Sequence, residues 1–295
     1  MFDNFIITVL AILLEAFPFV LLGALLSGLI EEFVSPEMVA KYIPKGLTGG
    51  ILLGSLGGLL LPMCECGSVA IVRRLIQKGV PVVSAITYML AGPIVNPITI
   101  LSTYVAYSWY PKMVIFRMAL GVAVASITGI VMYLYLKDRI LKGDKPLRLQ
   151  FITPLVHRGL LARLNHALTH AMQDFTTVFT LLLFGATVAA FFKSFSPPEV
   201  FLFFKSHEWV GIPAFALLAF ALSLCSEADA FIASALNGIF TIPAQLGFLV
   251  LGPMLDVKLI LMYRQFFQQQ ALFLVCLIPF SLIILACLLL QLLRS

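Results

Sequence analysis

The chain has 295 residues, of which 61% are hydrophobic and only 11% are charged, with a net charge of +5. A soluble globular protein carries roughly 25% charged residues, so the composition argues against a soluble enzyme or a nucleic-acid-binding protein. A disordered chain is also excluded, because the sequence is apolar rather than highly charged. We therefore expect an all-α polytopic membrane protein with no nucleic-acid partner and no cofactor.

The apolar residues fall into stretches long enough to cross a lipid bilayer. A transmembrane helix needs about 20 consecutive apolar residues. Two further apolar regions, Leu47–Lys78 and Val210–Phe240, are too long for one untilted crossing and too short for two comfortable ones. The stretches that suit a single crossing are Phe5–Ile30, Val82–Tyr107, Met113–Leu136, Met172–Phe192, Ala244–Tyr263 and Ala271–Leu293.

Positive charge predicts how these spans are oriented. Basic residues concentrate between Lys137 and Arg163, a pattern typical of a cytoplasmic loop. Four spans in each half give eight crossings of the cell membrane and place both termini in the cytoplasm. Ten crossings with inverted halves result if each of the two long apolar regions crosses twice. We favour eight, because the half-segments are short for full crossings.

Several landmarks of the amino-terminal half recur, in the same order, in the carboxyl-terminal half. Cys64 recurs as Cys225, 161 residues later, and Asn96 falls on Asp256. This predicts a duplication with a first membrane repeat at residues 1–137, a basic cytoplasmic linker at 138–164 and a second membrane repeat at 165–295. The other recurring pairs are Ser35-Pro36 with Ser196-Pro197, Pro81 with Pro243, and Gly92-Pro93 with Gly252-Pro253.

Polar residues interrupt both long apolar regions near the middle. The interruptions are Cys64-Glu65-Cys66-Gly67 and Cys225-Ser226-Glu227-Ala228-Asp229. A helix broken at mid-membrane is tolerated where it is buried in protein or lines a cavity, and breaks at matching positions of two halves point to a transporter's binding site. The segments Gly92–Pro97 and Gly252–Asp256 form a second matching pair. The competing interpretation is that these are simple proline kinks.

The breaks carry the residues from which we would build a binding site. In an extended break Cys64 and Cys66 share one side, Cys225 would be a third thiol, and three thiolates suit a soft cation or a trivalent metalloid. The alternative is that small buried cysteines only pack. The candidate metal ligands are Cys64, Cys66 and Cys225, and the wider substrate-binding set is Cys64, Glu65, Cys66, Asn96, Cys225, Glu227, Asp229 and Asp256.

Four acidic residues accompany the thiols: Glu65, Glu227, Asp229 and Asp256. An ionisable group inside the bilayer is costly, and its presence there is a functional hypothesis by default. We expect these carboxylates to balance the charge of a substrate or to carry protons. They would also suit the amino ends of half-helices, and capping and function can coexist.

Three short runs carry a family likeness. Leu61 to Ser68 (LPMCECGS), Lys78 to Pro81 (KGVP) and Ala91 to Pro97 (AGPIVNP) resemble the predicted permease family that includes the organoarsenical exporter ArsP and the YraQ and YcgR proteins, the YcgR type most of all. The resemblance covers nearly the whole chain. It implies an inner-membrane permease of about eight spans, with members tied to efflux of trivalent organoarsenicals or to divalent-metal homeostasis.

The likeness has two departures and one further implication. Members often have Cys-Ser-Cys-Gly where this chain has Cys64-Glu65-Cys66-Gly67, and a proline shortly afterwards where it has Val69-Ala70. An added carboxylate beside two thiols favours a divalent cation such as zinc over a neutral organoarsenical. Some members look like one half of a pair with a second, separately encoded membrane subunit.

The leading hypothesis is a secondary transporter that exports a soft metal ion or metalloid through a site between the two repeats, with rocking of the halves alternating access. The alternative is a non-transporting or obligate subunit of a two-component membrane complex. An enzyme is not expected, because neither a P-loop nor a Gly-x-Ser-x-Gly motif occurs. Expected partners are the lipid bilayer, a small inorganic or organometalloid substrate, and a second subunit or further copies of this chain.

Overall fold

The computed structural model describes residues 2–33, 46–60, 63–136, 140–141, 160–195, 208–238 and 240–294. Helices account for the regular secondary structure of these ranges, which confirms an all-α membrane protein. The first half contains α1 (Phe2–Phe33), α2 (Leu47–Leu60), α3 (Glu65–Gln77), α4 (Val82–Val95), α5 (Pro97–Ala106) and α6 (Lys112–Leu136). The second half contains α7 (Leu160–Phe195), α8 (Glu208–Leu222), α9 (Ala228–Ala235), α10 (Ile242–Leu251), α11 (Val257–Phe266) and α12 (Gln269–Arg294).

Three stretches of the described chain are long and apolar enough to cross a membrane. They are Val82–Ala106, which joins α4 and α5, Lys112–Leu136 and Gln269–Leu293. Shorter apolar helices occur at Val20–Ile30, Leu47–Leu59, Gly211–Leu222 and Ile242–Leu251. Whether the chain crosses eight or ten times stays a prediction.

The order of helices is the same in the two halves. Each half begins with a long helix, continues with an apolar helix that stops at a cysteine-containing break, and ends with a helix of 25 or 26 residues, α6 or α12. Between these, α3, α4 and α5 correspond in order to α9, α10 and α11. This correspondence supports the predicted duplication, which stays a prediction. The predicted linker and the Ser35-Pro36 and Ser196-Pro197 pair lie largely or wholly outside the described residues.

The predicted mid-membrane breaks separate real helices. In the second half, a turn at Gly252-Pro253 divides the predicted span Ala244–Tyr263 into α10 and α11, because proline lacks the N–H that would continue the helix. In the first half, Asn96 separates α4 from α5. The expectation of an extended Cys64-Glu65-Cys66 segment is wrong, since only Cys64 is extended and α3 begins at Glu65.

Glycines hold the broken helices close to their neighbours. A Cβ atom added at Gly58 of α2 would lie 2.4 Å from the carbonyl oxygen of Gly92 in α4, and one added at Gly23 of α1 would lie 2.8 Å from the Cα of Gly67 in α3. Small residues permit such backbone contact between membrane helices. The start of α3, which carries the first cysteine pair, is therefore fixed tightly against α1.

The two halves pack against each other through their short helices. Helix α3, which follows the first cysteine break, packs against α11, which follows the Gly-Pro break of the other half. Helix α9, which follows the second cysteine break, packs against α5 in the corresponding way. All four breaks consequently meet in one region of the molecule.

Candidate functional site

The meeting point of the four breaks contains a group of buried charges. Among the described residues, five charged side chains are at most 1% exposed: Glu65, Arg117, Asp229, Asp256 and Lys258. Three are acidic and two are basic, so the group carries one more negative than positive charge when all are ionised. Charges this deep in a membrane protein are retained where they pair or serve a substrate pathway. We call these five residues the buried charge cluster.

Lys258 links the two halves at the centre of this cluster. Its Nζ atom lies 3.5 Å from Oε1 of Glu65, at the start of α3, and 3.3 Å from Oδ2 of Asp256, just before α11. The second carboxylate oxygen of Glu65, Oε2, is buried and accepts no hydrogen bond from the residues that the structure describes. The ammonium group therefore bridges an acid from each half and leaves part of their hydrogen-bonding capacity unused.

The predicted thiols lie beside these charges. Cys64 and Cys66 are fully buried, Cys225 is 4% exposed, and none of the three forms a disulfide bond with another described cysteine. The Cys64 thiol interacts with that of Cys66 although Cys66 is helical, and it also lies within electrostatic range of Glu65 and Cys225. The Lys258 ammonium in turn interacts with Cys66 and Cys225. Cys64 thus interacts with both of the other predicted cysteines, and Cys66 and Cys225 interact with the Lys258 ammonium.

Arg117 of α6 forms the second positively charged part of the cluster. Its guanidinium donates from Nη1 to Oγ1 of Thr103 at 2.6 Å and from Nη2 to the carbonyl oxygen of Ser226 at 2.9 Å. It interacts electrostatically with Asp229 and Glu227. Arg117 therefore connects α5 and α6 of the first half to the second cysteine break, including both of its acids.

Asp229 fits into the cluster because residue 252 is glycine. A Cβ atom added at Gly252 would lie 2.5 Å from Oδ2 of Asp229, so any larger residue would displace the carboxylate. Oδ2 is buried and accepts no hydrogen bond within the described ranges, and Asp229 lies within electrostatic range of Arg117, Glu65 and Lys258. The Gly-Pro break of the second half thereby makes room for an acid contributed by the cysteine break.

Asn96 and Asp256, at corresponding positions of the halves, both act as helix caps. The Asn96 side chain accepts a hydrogen bond at 2.9 Å from the N–H of Ile98, and Asp256 Oδ1 accepts one at 2.7 Å from the N–H of Leu259. Asn and Asp are preferred at this position because they satisfy N–H groups that the helix leaves unpaired. The capping role considered from the sequence for the acids holds for Asp256, and the cap formed by Asn96 is an additional observation. The α9 helix, in contrast, has Glu227 at its cap position without a side-chain cap hydrogen bond.

No preformed metal site accompanies this arrangement in the described part of the chain. No group of three or more His, Cys, Asp or Glu side chains is placed there so that it could hold a metal ion. Cys64, Cys66 and Cys225 as metal ligands therefore stay a prediction, as do the other candidate binding residues. The positive charge within the cluster comes instead from Lys258 and Arg117.

Sequence reasoning missed both of these basic residues. Lys258 follows Asp256 by two positions, and Arg117 lies in the apolar span Met113–Leu136. A basic residue inside a predicted span was the signal that could have identified Arg117, by the argument applied to the acids. Lys258 gave a weaker signal because a lysine near a helix end commonly extends to the membrane surface.

The comparisons with known proteins place the chain in a family. The sequence profile described as predicted permease matches residues 1–292. The chain belongs to the predicted permease family. The buried charge cluster is thus the interior of a predicted permease, and a transporter is a better description of the family than an enzyme.

Individual relatives agree with this assignment. The chain is 39% identical over 266 residues to the UPF0718 protein YcgR of Bacillus subtilis (strain 168), covering 90% of this chain and 89% of the relative. It is 37% identical over 262 residues to a protein of Streptococcus mutans serotype c named "Putative two-component membrane permease complex subunit", covering 88% and 86%. It is 23% identical to the UPF0718 protein YraQ of Escherichia coli (strain K12), covering 86% and 71%. No solved structure matches this permease.

Proposed function

We propose that this chain is a secondary transporter that exports a soft divalent metal cation through the region where the four helix breaks meet. The observation that carries the proposal is the buried charge cluster together with the thiols of Cys64, Cys66 and Cys225 at this point of contact between the halves. The cluster has an excess of negative charge, which favours a cation over an anion or a neutral metalloid. Thiols favour soft cations over Mg²⁺ or Ca²⁺.

The roles of the residues follow from their chemistry. Cys64, Cys66 and Cys225 are the proposed ligands of the cation, and Glu65 and Asp256 neutralise its charge from opposite halves. Asp229 and Glu227 with Arg117 form the adjacent part of the proposed pathway. Asn96 caps the amino-terminal end of α5. Movement of one half relative to the other would open this region to each side of the membrane in turn.

The thiols provide the direct test of this proposal. We expect Cys64→Ser, Cys66→Ser and Cys225→Ser each to reduce Zn²⁺ flux into proteoliposomes at least about tenfold, because a hydroxyl is a poor substitute for a thiolate as ligand of a soft cation. The measurement is the rate of signal change of a zinc-sensitive dye trapped in the vesicles.

A buried cysteine outside the cluster provides the matched control. Cys287 of α12 is buried, and its Sγ faces Gly247 of α10, 3.3 Å from where a Cβ would lie there. Cys287→Ser makes the same chemical change and should retain flux close to that of the wild type. Wild-type rates of Zn²⁺ flux in Cys64→Ser, Cys66→Ser and Cys225→Ser would reject the thiols as ligands.

A second candidate function is that of an obligate subunit in a two-component membrane complex. The name of the Streptococcus mutans relative favours it. We expect that, in this case, the purified chain alone transports no Zn²⁺, whereas the chain purified with a co-expressed membrane partner does. Flux by the chain alone would contradict the need for a second subunit.

A further inference from the structure

The position of Lys258 suggests more than a static ion pair. Its ammonium group is buried between Glu65 and Asp256, where we propose that a transported cation binds, at distances of 3.5 and 3.3 Å. Charge-assisted N–H···O hydrogen bonds of good geometry are about 2.7–2.9 Å long. The ammonium therefore occupies the space between the two acids without forming a short hydrogen bond to either.

The charges around Lys258 are unequal. Glu65 and Asp256 together carry two negative charges when ionised, and Lys258 supplies one positive charge. Oε2 of Glu65 and Oδ2 of Asp229 are buried and accept no hydrogen bond from the described part of the chain, so oxygen lone pairs remain available in the immediate surroundings. A divalent cation would match the charge of the Glu65–Asp256 pair better than the lysine does.

We infer that Lys258 is a tethered substitute for the transported cation. The ammonium fills the Glu65–Asp256 pair when no cation is bound, and an entering cation displaces it. This inference rests on the proposed function and explains why the described residues hold no preformed metal site, since the place is already occupied. Lysine suits the role because it is a compact charge on a flexible four-carbon stem.

Replacement of the released cation by the Lys258 ammonium would keep the two carboxylates from being left without an opposite charge in the empty transporter. Removing one partner from a buried charge pair is strongly unfavourable, so two carboxylates left without a cation would resist the movements that return an empty carrier. An ammonium that replaces the released cation keeps the pair neutralised to within one charge. The same ammonium weakens cation binding, because the cation must compete with it.

Two substitutions at this position separate competition from simple structural support. Lys258→Met removes the competing charge while keeping an unbranched side chain, and we expect Zn²⁺ to bind the full-length protein in lipid nanodiscs at least about tenfold more tightly. Lys258→Arg keeps a charge whose planar fork engages carboxylates more firmly, and we expect at least about tenfold weaker binding. Arg264→Met, which removes a charge from an exposed position of the same helix, should leave the affinity unchanged.

Transport gives an independent reading of the same inference. In Lys258→Met we expect both KM and the maximal rate of Zn²⁺ flux to fall, because the cation binds more tightly and no internal charge replaces it on release. A purely structural lysine predicts the opposite pattern of affinities, with Lys258→Arg close to the wild type and Lys258→Met weakened.

The outcomes distinguish this inference from the function on which it rests. Absence of Zn²⁺ binding by the wild-type protein would overturn the proposed cation site and the inference with it. Zn²⁺ binding by the wild type, together with Lys258→Met binding no more tightly, would overturn the inference alone. If Lys258→Met does not fold, Lys258→Arg decides, and an affinity equal to that of the wild type contradicts competition.

Discussion

Replacement of Arg117 by methionine is expected to destabilise the protein more than any other single substitution considered for this chain, by about 3–5 kcal/mol. The Arg117 side chain is 1% exposed, donates to Thr103 and to the carbonyl oxygen of Ser226, and is the positive charge that interacts most strongly with Asp229. Its removal takes from a buried carboxylate its main opposite charge and from a buried carbonyl its donor. The measurement is the thermal unfolding midpoint in detergent, followed by size-exclusion chromatography after heating.

Two further variants test whether charge is the cause. The double variant Arg117→Met with Asp229→Asn removes both charges, and we expect it to recover a substantial part of the lost stability, since replacing both partners of a buried pair is commonly near neutral. Lys112→Met removes an exposed basic side chain from the first turn of the same helix and should change the midpoint little. A double variant no more stable than Arg117→Met would contradict the electrostatic explanation.

Neutralising the two acids that hold Lys258 is expected to reduce Zn²⁺ flux at least about tenfold, equivalent to about 1.4 kcal/mol or more at the rate-limiting barrier. Glu65→Gln and Asp256→Asn each keep the shape of the side chain and remove one negative charge from the proposed cation site. The Asp256→Asn variant isolates charge well, because Asn caps a helix as effectively as Asp does and already does so at Asn96. Flux into proteoliposomes at several Zn²⁺ concentrations measures the effect.

A carboxylate at a distance from the cluster serves as the comparison. Glu32 near the end of α1 contacts His166 of α7 at hydrogen-bond distance, with Oε2 3.0 Å from Nδ1. Glu32→Gln likewise removes one negative charge and keeps the shape of the side chain. We expect this variant to retain most of the flux. Equal flux in the wild type, Glu65→Gln and Asp256→Asn would remove these acids from the transport pathway.

Much of the fold could be predicted from apolar length and from the positions of Pro and Gly. The all-α membrane class follows from the small charged fraction, and the breaks at Asn96 and Gly252-Pro253 lie where proline or glycine interrupts an apolar stretch. The conformation of the first cysteine break was predicted less well. Backbone propensity did not indicate that α3 begins directly at Glu65. The first turn of this helix packs closely against another helix, with Gly67 next to Gly23 of α1, and such a tertiary contact cannot be read from the local sequence.

The sequence indicated the acidic residues and cysteines of the candidate site but not its two basic residues. Acids and cysteines could be recognised because they interrupt apolar runs at corresponding places in both halves. Lys258 and Arg117 have no counterparts of that kind, and their roles depend on which helices cross: α11 must touch α3 before a lysine in one half can reach Glu65 in the other. Such a crossing is a property of tertiary packing, and the local sequence does not encode it.

The two carboxylate oxygen atoms of Asp256 have different partners. Oδ1 is committed to the N–H of Leu259, which fixes the carboxyl group to the first turn of α11, while Oδ2 faces the Lys258 ammonium. Because one atom is anchored to the backbone, the other cannot follow a ligand without disturbing the turn. Binding of the proposed cation to Asp256 would thereby be connected to the orientation of α11, the short helix that this residue caps.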